Sequence, residues 1–340
     1  CVRFEPGLDH RAPTCMRYPQ STPQAFSIDL EKCKDREALV KSCPAGAINP
    51  DEAERTEEHK VGAVVLAIGA ELFDPGRLDH FGHGIYPDVV TGLEYERIMS
   101  ASGPTGGELV RPSNGEQPKK VAWIQCVGSR GINREDVSYC SGVCCMYALK
   151  EAIVTKERFQ DDIETTIFYM DMRTFGKDYE LYYNRARQTY GVQVERCRPH
   201  SVNGDAESGQ LAISYATDAS STLTTDLFDM VVLSTGFRPT ESARELAGVL
   251  DIELNEHNFA RTQSFSPVAT SRPGVYRLDL NIRKFERLDE GRKSFGLFVI
   301  HANLTDAEGN LLFRKKISKK EELTDSRFET LAKEMSILVR

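Results

Sequence analysis

The chain has 340 residues, 40% of them hydrophobic and 9% aromatic, with a net charge of −8 and an isoelectric point of about 5.5. That composition fits a folded protein of two or three domains and excludes a broad basic surface for nucleic acid. The longest apolar run, VGAVVLAIGA (61–70), is too short to span a bilayer, and no secretory leader is visible, so a cytoplasmic setting is expected.

Residues 1–55 read as irregular. They carry Cys1, Cys15 and Cys33 and close on CPAGAI (43–48), the way a bacterial-type ferredoxin motif ends. The usual companions at two- or three-residue spacing are missing, since Cys33 lies ten positions upstream with KDREALVKS between. The segment reads as an eroded ferredoxin-like insertion, with free thiols on a helix and turn weighed above a bound cluster. Residues 61–67 predict a buried strand ending in Ile68-Gly69-Ala70. Next, KKVAWIQCVG (119–128) predicts a strand, CSGVCCMYALKEAIVTKE (140–157) a helix, and TTIFYMDM (165–172) a strand. KDYELYYNRARQTYG (177–191) predicts a second helix and VQVERCRP (192–199) a third strand. That β-α-β-α-β order implies a parallel sheet. In the second helix Tyr179, Tyr182, Tyr183, Ala186 and Tyr190 recur at helical spacing and read as core.

LAISYAT and LTTDLFDMVVL predict an antiparallel excursion, with a strand over 226–233 that stops at STGFRP (234–239). Glycine in such a turn lets the backbone approach a ligand closely, which makes Gly69 and the Thr235-Gly236 turn candidate binding points. Residues 277–340 differ in character. They predict a hairpin, GLFVIHANL–DAEGN–LLFRKKI, and a helix over 325–338 with Phe328, Leu331, Met335 and Leu338 on one side. The one dense basic patch, RKKISKK (314–320), reads as solvated.

Four of the nine cysteines gather in the central segment. Cys126 ends the first strand, and Cys140, Cys144 and Cys145 open the first helix, where Cys140 and Cys144 would share a face. A strand end lies near the start of the helix that follows it. Unpaired N–H groups and positive potential there favour thiolates and an anionic cluster, as they favour a pyrophosphate. The odd, uneven cysteine count and a reducing cytosol favour metal or redox chemistry over a disulfide framework. Iron–sulfur ligands, a zinc site and buried structural cysteines compete. Zinc sites usually use paired CxxC knuckles, which are absent, and four cysteines at one corner by chance is a poor account, so iron–sulfur is preferred. The GxGxxG of a nicotinamide site is also absent, with only Gly128 left near the turn, so a cluster would take the place of that cofactor.

Five blocks are long and specific: YPDVVTGLEYERIMSASGPTGGE (86–108), KKVAWIQCVGSR (119–130), YCSGVCCMYALKEAIV (139–154), FYMDMRTFGKDYE (168–180) and SFSPVATSRPGVY (264–276). Through them the chain, from about Cys15 to Tyr276, resembles the A-type iron–sulfur subunits of heterodisulfide reductase and their relatives. The resemblance implies a thioredoxin-reductase-like α/β architecture of two dinucleotide-binding-type (Rossmann-like) domains. One would bind FAD, with Gly69, Thr235 and Gly236 nearest the flavin; the other would hold a 4Fe–4S cluster on Cys126, Cys140, Cys144 and Cys145. It implies an electron-transfer subunit fed by a hydrogenase or formate dehydrogenase and delivering to ferredoxin and to the B and C subunits, with a homodimer as one assembly.

The expected division is an eroded insertion (1–60), an incomplete, split FAD-binding domain (61–117 and 225–276), a cluster-bearing Rossmann-like domain (118–224) and a divergent tail (277–340). The family's glycine-rich ADP-binding unit would lie upstream of Cys1. After Tyr276 the chain reads RLDLNIRKFERL where a flavin loop would follow. No catalytic side chain is assigned. Two other functions stay open: an FAD/NAD(P)H disulfide oxidoreductase, which wants a CxxC pair, and a non-catalytic remnant or metal-binding scaffold.

Overall fold

Apolar runs without polar alternation are buried on both faces, and two such runs, 121–127 and 230–235, form the centre of this fold. The structure is a computed structural model. It describes residues 2–4, 8–11, 14–16, 26–29, 31–49, 51, 56, 58–131, 135–216, 222–264, 268–277, 279–290, 293–305 and 311–323, with backbone alone for 2–4, 9–11, Cys15 and everything beyond 274. Cys1, the side chain of Cys15 and the helix expected over 325–338 lie outside the described residues.

In chain order, β1 (Val2–Phe4) pairs with β2 (Asp9–Arg11) and β3 (Thr14–Met16) with β4 (Phe26–Ile28), both antiparallel. α1 (Arg36–Lys41) is capped by Asp35, whose carboxylate accepts from the Ala38 amide at 2.8 Å. β5 (Val64–Leu66) and β6 (Glu71–Leu72) lead to β7 (Val89–Thr91) and α2 (Gly92–Met99), which opens on a capping box between Thr91 and Glu94. β8 (Lys120–Val127), α3 (Cys144–Phe159), β9 (Glu164–Tyr169), α4 (Tyr179–Gln188) and β10 (Gln193–Arg196) then alternate. A meander of β11 (Ser201–Gly204), β12 (Leu211–Tyr215) and β13 (Thr224–Phe228) returns the chain to β14 (Met230–Thr235). β15 (Phe237–Arg238), α5 (Glu241–Val249) and β16 (Val275–Arg277) precede an antiparallel sheet of β17 (Asp279–Glu290), β18 (Lys293–Thr305) and β19 (Leu311–Leu323).

The main sheet runs β10-β9-β8-β14-β7, parallel throughout. Alternate residues of β8 and β14 serve two cores. Val121, Trp123, Met230 and Val232 pack against α2, α3 and α4, while Ala122, Ile124, Val231 and Leu233 pack against the meander and Phe73. Tyr183 and Ala186 are buried with the helices, and Tyr182 and Tyr190 lean on the same core, as the tyrosine stripe suggested, while Tyr179 is half-buried outside that cluster. The α/β class and the antiparallel excursion follow the sequence. No helix among the described residues is long and apolar enough to cross a membrane.

Several expectations change. The strand over 61–67 shrinks to β5 and is not buried: Val65 is 46% exposed, and among the described residues β5 pairs with β16 alone, so no second strand covers it. The run LTTDLFDMVVL is broken at Asp229. Asp229 Oδ2 accepts from the amides of Lys119 and Lys120 at 2.7 and 2.9 Å, and Oδ1 from Gln210 Nε2 at 3.0 Å, so the carboxylate stitches the start of β8 to the meander while the chain changes sheets. β7 and β14, drawn from stretches assigned to the flavin side, sit in one sheet with β8, β9 and β10. The hairpin of the tail is present as β18–β19, and β17, unforeseen as a strand, joins it.

Candidate functional site

In a parallel sheet every strand ends at the same edge, and that edge is where ligands bind in open α/β folds. The ends of β7, β8, β9 and β14 bring Gly92, Cys126, Asp171 and the Thr235-Gly236 turn to it. The turn after β8 is tightly wound: Cys126, Gly128 and Arg130 have φ of 60°, 72° and 56°. Gly128 is required by packing as well, because a Cβ there would stand 2.2 Å from the Phe73 ring.

The helix that follows starts at Cys144, not at Cys140. Gly142 takes φ 71°, and Val143 in the cap position supplies no side-chain acceptor. Cys140 therefore lies in a loop, where its sulfur accepts from the Gly142 amide at 3.3 Å. Cys144 and Cys145 occupy the first turn of α3, which contains no acidic residue, so the positive end of the helix faces sulfur.

Cys126, Cys144 and Cys145 are buried and in contact, with the Cys144 thiol hydrogen-bonded to the sulfurs on either side. That bond, aided by the Arg130 guanidinium and opposed by burial, holds the Cys126 thiol down to about 7. The same two bonds and burial push the Cys144 thiol up, while Cys145 is lowered by Cys144 and by the Arg173 amide. Cys140 is engaged by the Arg173 side chain. Arg130 and Arg173 both pair with Asp171, the latter at 2.8 Å from Nε to Oδ2.

Among the described residues no three His, Cys, Asp or Glu side chains stand in a geometry that holds a metal ion. The structure thus brings three of the four candidate thiols into one contact group and leaves Cys140 on Arg173. The donor set still fits a polynuclear iron–sulfur group, which takes its thiolates one per iron rather than four on one ion. Cys126, Cys144 and Cys145 are buried around an uncapped helix end, Cys140 lies half-buried in the loop before it, and two guanidinium groups flank the set.

The Thr235-Gly236 turn closes on the same corner. Tyr147 Oη donates to the Thr235 carbonyl at 2.7 Å, and the Phe237 amide donates to Ser141 Oγ at 2.8 Å. A Cβ on Gly236 would meet Ser141 Oγ at 2.4 Å and Ser129 Oγ at 2.7 Å, so this glycine is needed where the turn meets the two cysteine-bearing loops. Gly69 is elsewhere. It has φ 73°, nothing within 4 Å of where a Cβ would be, and it lines a cavity of about 260 Å³ with Ile68, Pro239, Ala243, Leu246 and Phe259. Pro239, three residues after Gly236, is the chain's link between corner and cavity.

Sequence reasoning missed Arg130, Asp171, Arg173, Tyr147 and Glu151. Glu151 carried the one readable signal, an acidic residue among the apolar positions Ala148, Leu149, Ala152 and Ile153.

No family model matches the chain. Curated relatives do. The second of the CoB–CoM heterodisulfide reductase iron–sulfur A-type subunits of Methanopyrus kandleri is 40% identical over 279 residues, 80% of this chain and 42% of that protein. The corresponding A-type iron–sulfur subunit of Methanocaldococcus jannaschii is 36% identical over 274 residues, 80% of this chain and 41% of that one. The A-type subunit of the ferredoxin/F420H2-dependent CoB–CoM heterodisulfide reductase of Methanosarcina acetivorans is 39% identical over 246 residues, 72% of this chain and 30% of that one. Among solved structures, the thioredoxin reductase of Lactococcus lactis is similar at 17% identity and TM-score 0.38, over 63% of this chain and 56% of that one. The chain spans about two fifths of the first two relatives' length. Through the four fifths of its residues that match them, it belongs to the family of heterodisulfide reductase A-type iron–sulfur subunits.

Proposed function

We propose that this chain is the cluster-bearing part of an electron-transfer iron–sulfur flavoprotein subunit, with a 4Fe–4S cluster held by Cys126, Cys144, Cys145 and, once released from Arg173, Cys140. The observation that carries this is the contact of three buried thiols at the uncapped start of α3. When bound, cluster and FAD supply the one- and two-electron carriers such a subunit needs. The chain's own residues do the rest. Arg130 and Arg173 set positive charge beside sulfur, burial of the β8 end keeps water away, and the α3 terminus favours thiolate.

The flavin side comprises β5, β6, β15, α5 and β16, with Gly69 in the cavity wall and the Thr235-Gly236 turn beside the cysteines; the cluster side is the five-stranded sheet with its meander. The names of relatives include ferredoxin, H2 and formate among their reactants, which supports a complex fed by a hydrogenase or formate dehydrogenase and delivering to ferredoxin; B and C subunits and a cytoplasmic setting are part of the same proposal.

The test is anaerobic reconstitution with iron and sulfide counting, flavin extraction and a visible spectrum before and after dithionite. About four irons and four sulfides per chain are expected, with absorption that bleaches on reduction. Cys144→Ala should lose the iron. An unchanged iron content and spectrum in that variant would sink the ligand assignment, and zinc or no metal in the unsubstituted chain would leave a scaffold.

A further inference from the structure

Glu151 lies outside the cysteine group yet on the same helix. It follows Cys144 by seven residues, about two turns of α3, and is 3% exposed. Its Oε2 accepts from Trp123 Nε1 at 2.8 Å, and its Oε1 has no hydrogen-bond partner. Oε1 faces the first residue of α2: a Cβ on Gly92 would lie 3.2 Å from it and 2.9 Å from the Tyr147 ring. The open oxygen thus sits near Tyr147, whose hydroxyl reaches the Thr235 carbonyl at the cysteine corner. Toward solvent, the preceding residue, Lys150, pairs with Glu96 of α2, both partly exposed.

The groups around this carboxyl are Tyr95 and Glu96 from α2, Trp123 from β8, and Tyr147, Lys150 and Thr155 from α3 itself. Tyr95 is occupied by Thr155 Oγ1 at 2.6 Å. Burial first, then the Glu96 carboxylate, push the Glu151 carboxyl well above its ordinary range, and Lys150 and Trp123 do not offset them. A buried acid with one oxygen that receives no donor, beside a second carboxyl on α2 and close to a place where charge changes, is a site whose proton affinity follows that charge.

We propose that Glu151 is a proton-accepting site that couples proton uptake to reduction at the cysteine corner, an inference that rests on the iron–sulfur centre proposed above. One electron, delivered by a low-potential one-electron carrier, brings negative charge to the Cys144 end of α3 and raises the proton affinity of Glu151. Where Glu151 is ionised, a solvent proton entering beside Lys150 and Glu96 converts its carboxylate to the acid at Oε1. No bond to carbon or sulfur is made or broken.

The experiment is a redox titration of the iron-loaded full chain at a series of pH values, beside Glu151→Gln, with iron counted in both. The expected result is a midpoint potential that falls with rising alkaline pH in the unsubstituted protein and stays flat in Glu151→Gln at equal iron. The same slope in both, or no slope in either, overturns the role of Glu151 and leaves the iron centre standing. Iron missing from the unsubstituted protein overturns the centre and this proposal together. If Glu151→Gln does not fold, infrared difference spectra of the unsubstituted protein decide: at alkaline pH, reduction should produce a carboxylic C=O band that shifts in D2O, and its absence overturns the proposal.

Discussion

Cys126 and Arg130 hold left-handed backbone angles, φ 60° and 56°, that a residue with a side chain adopts at a cost of about 1–2 kcal/mol each. Such angles persist where the surroundings over-determine them, and here they aim one sulfur and one guanidinium at the start of α3. Gly128, between them, is held by the Phe73 ring, which itself lies 4.4 Å beneath the Arg238 guanidinium. Gly128→Ala should lower unfolding free energy by about 1–3 kcal/mol in a denaturant titration, because its Cβ would overlap the buried Phe73 ring at a left-handed backbone angle. A variant as stable as the parent would show that Phe73 is loosely packed. The cysteines were legible in the sequence because thiols at a strand–helix junction have few structural explanations. Arg130, Asp171, Arg173 and Tyr147 were not, since each is an ordinary residue whose meaning comes from partners far away in the chain, such as Arg130 on Asp171 or Tyr147 on Thr235.

At the scale of elements, the alternation of β8, α3, β9, α4 and β10 could be read from periodicity because each is a single uninterrupted pattern. Two boundaries could not. Asp229 divides a continuous apolar run between two sheets, and its reason, amides of Lys119 and Lys120 seeking an acceptor, lies 110 and 109 positions away. The start of α3 slips from Cys140 to Cys144 because Gly142 adopts a left-handed angle that no periodicity records. α2 shows the opposite case, a start signal that is local and complete. Thr91 Oγ1 accepts from the Glu94 amide at 3.2 Å, while Glu94 Oε2 accepts from the Thr91 amide at 2.7 Å and from Thr91 Oγ1 at 2.9 Å. Burial would raise the Glu94 carboxyl, but the His83 and Thr91 bonds together lower it below its ordinary value of 4.5. Glu94 therefore stabilises the fold above pH 4.5 and loses that contribution as pH falls through its lowered folded value. Thr91→Ala should cost about 1 kcal/mol at neutral pH and less in acid, as measured by thermal unfolding across pH. An equal loss at every pH would mean that the Thr91 Oγ1–Glu94 Oε2 bond contributes nothing.

For the whole molecule, the cysteine corner and the cavity differ in how they are built. The corner is assembled from the ends of β8 and β14 and the start of α3, elements tied into one five-stranded sheet with cores on both faces. The cavity is walled by the ends of short elements: β5, paired only with β16 among the described residues, and α5, whose apolar side meets a small cluster around Ala247 and Ile252. Most of a sheet-centred core survives changes at its margin, because burial there depends on neighbours that the margin does not supply. Filling the cavity should therefore leave the corner intact. Ala243 lines the cavity from the half-buried side of α5, so Ala243→Phe would occupy part of the 260 Å³ without entering the main sheet. The expected outcome is a lower yield of extractable flavin per chain with iron and sulfide unchanged. Iron falling in step with flavin would show instead that the two sites fold as one unit, with Pro239 transmitting the strain from α5 to the Thr235-Gly236 turn.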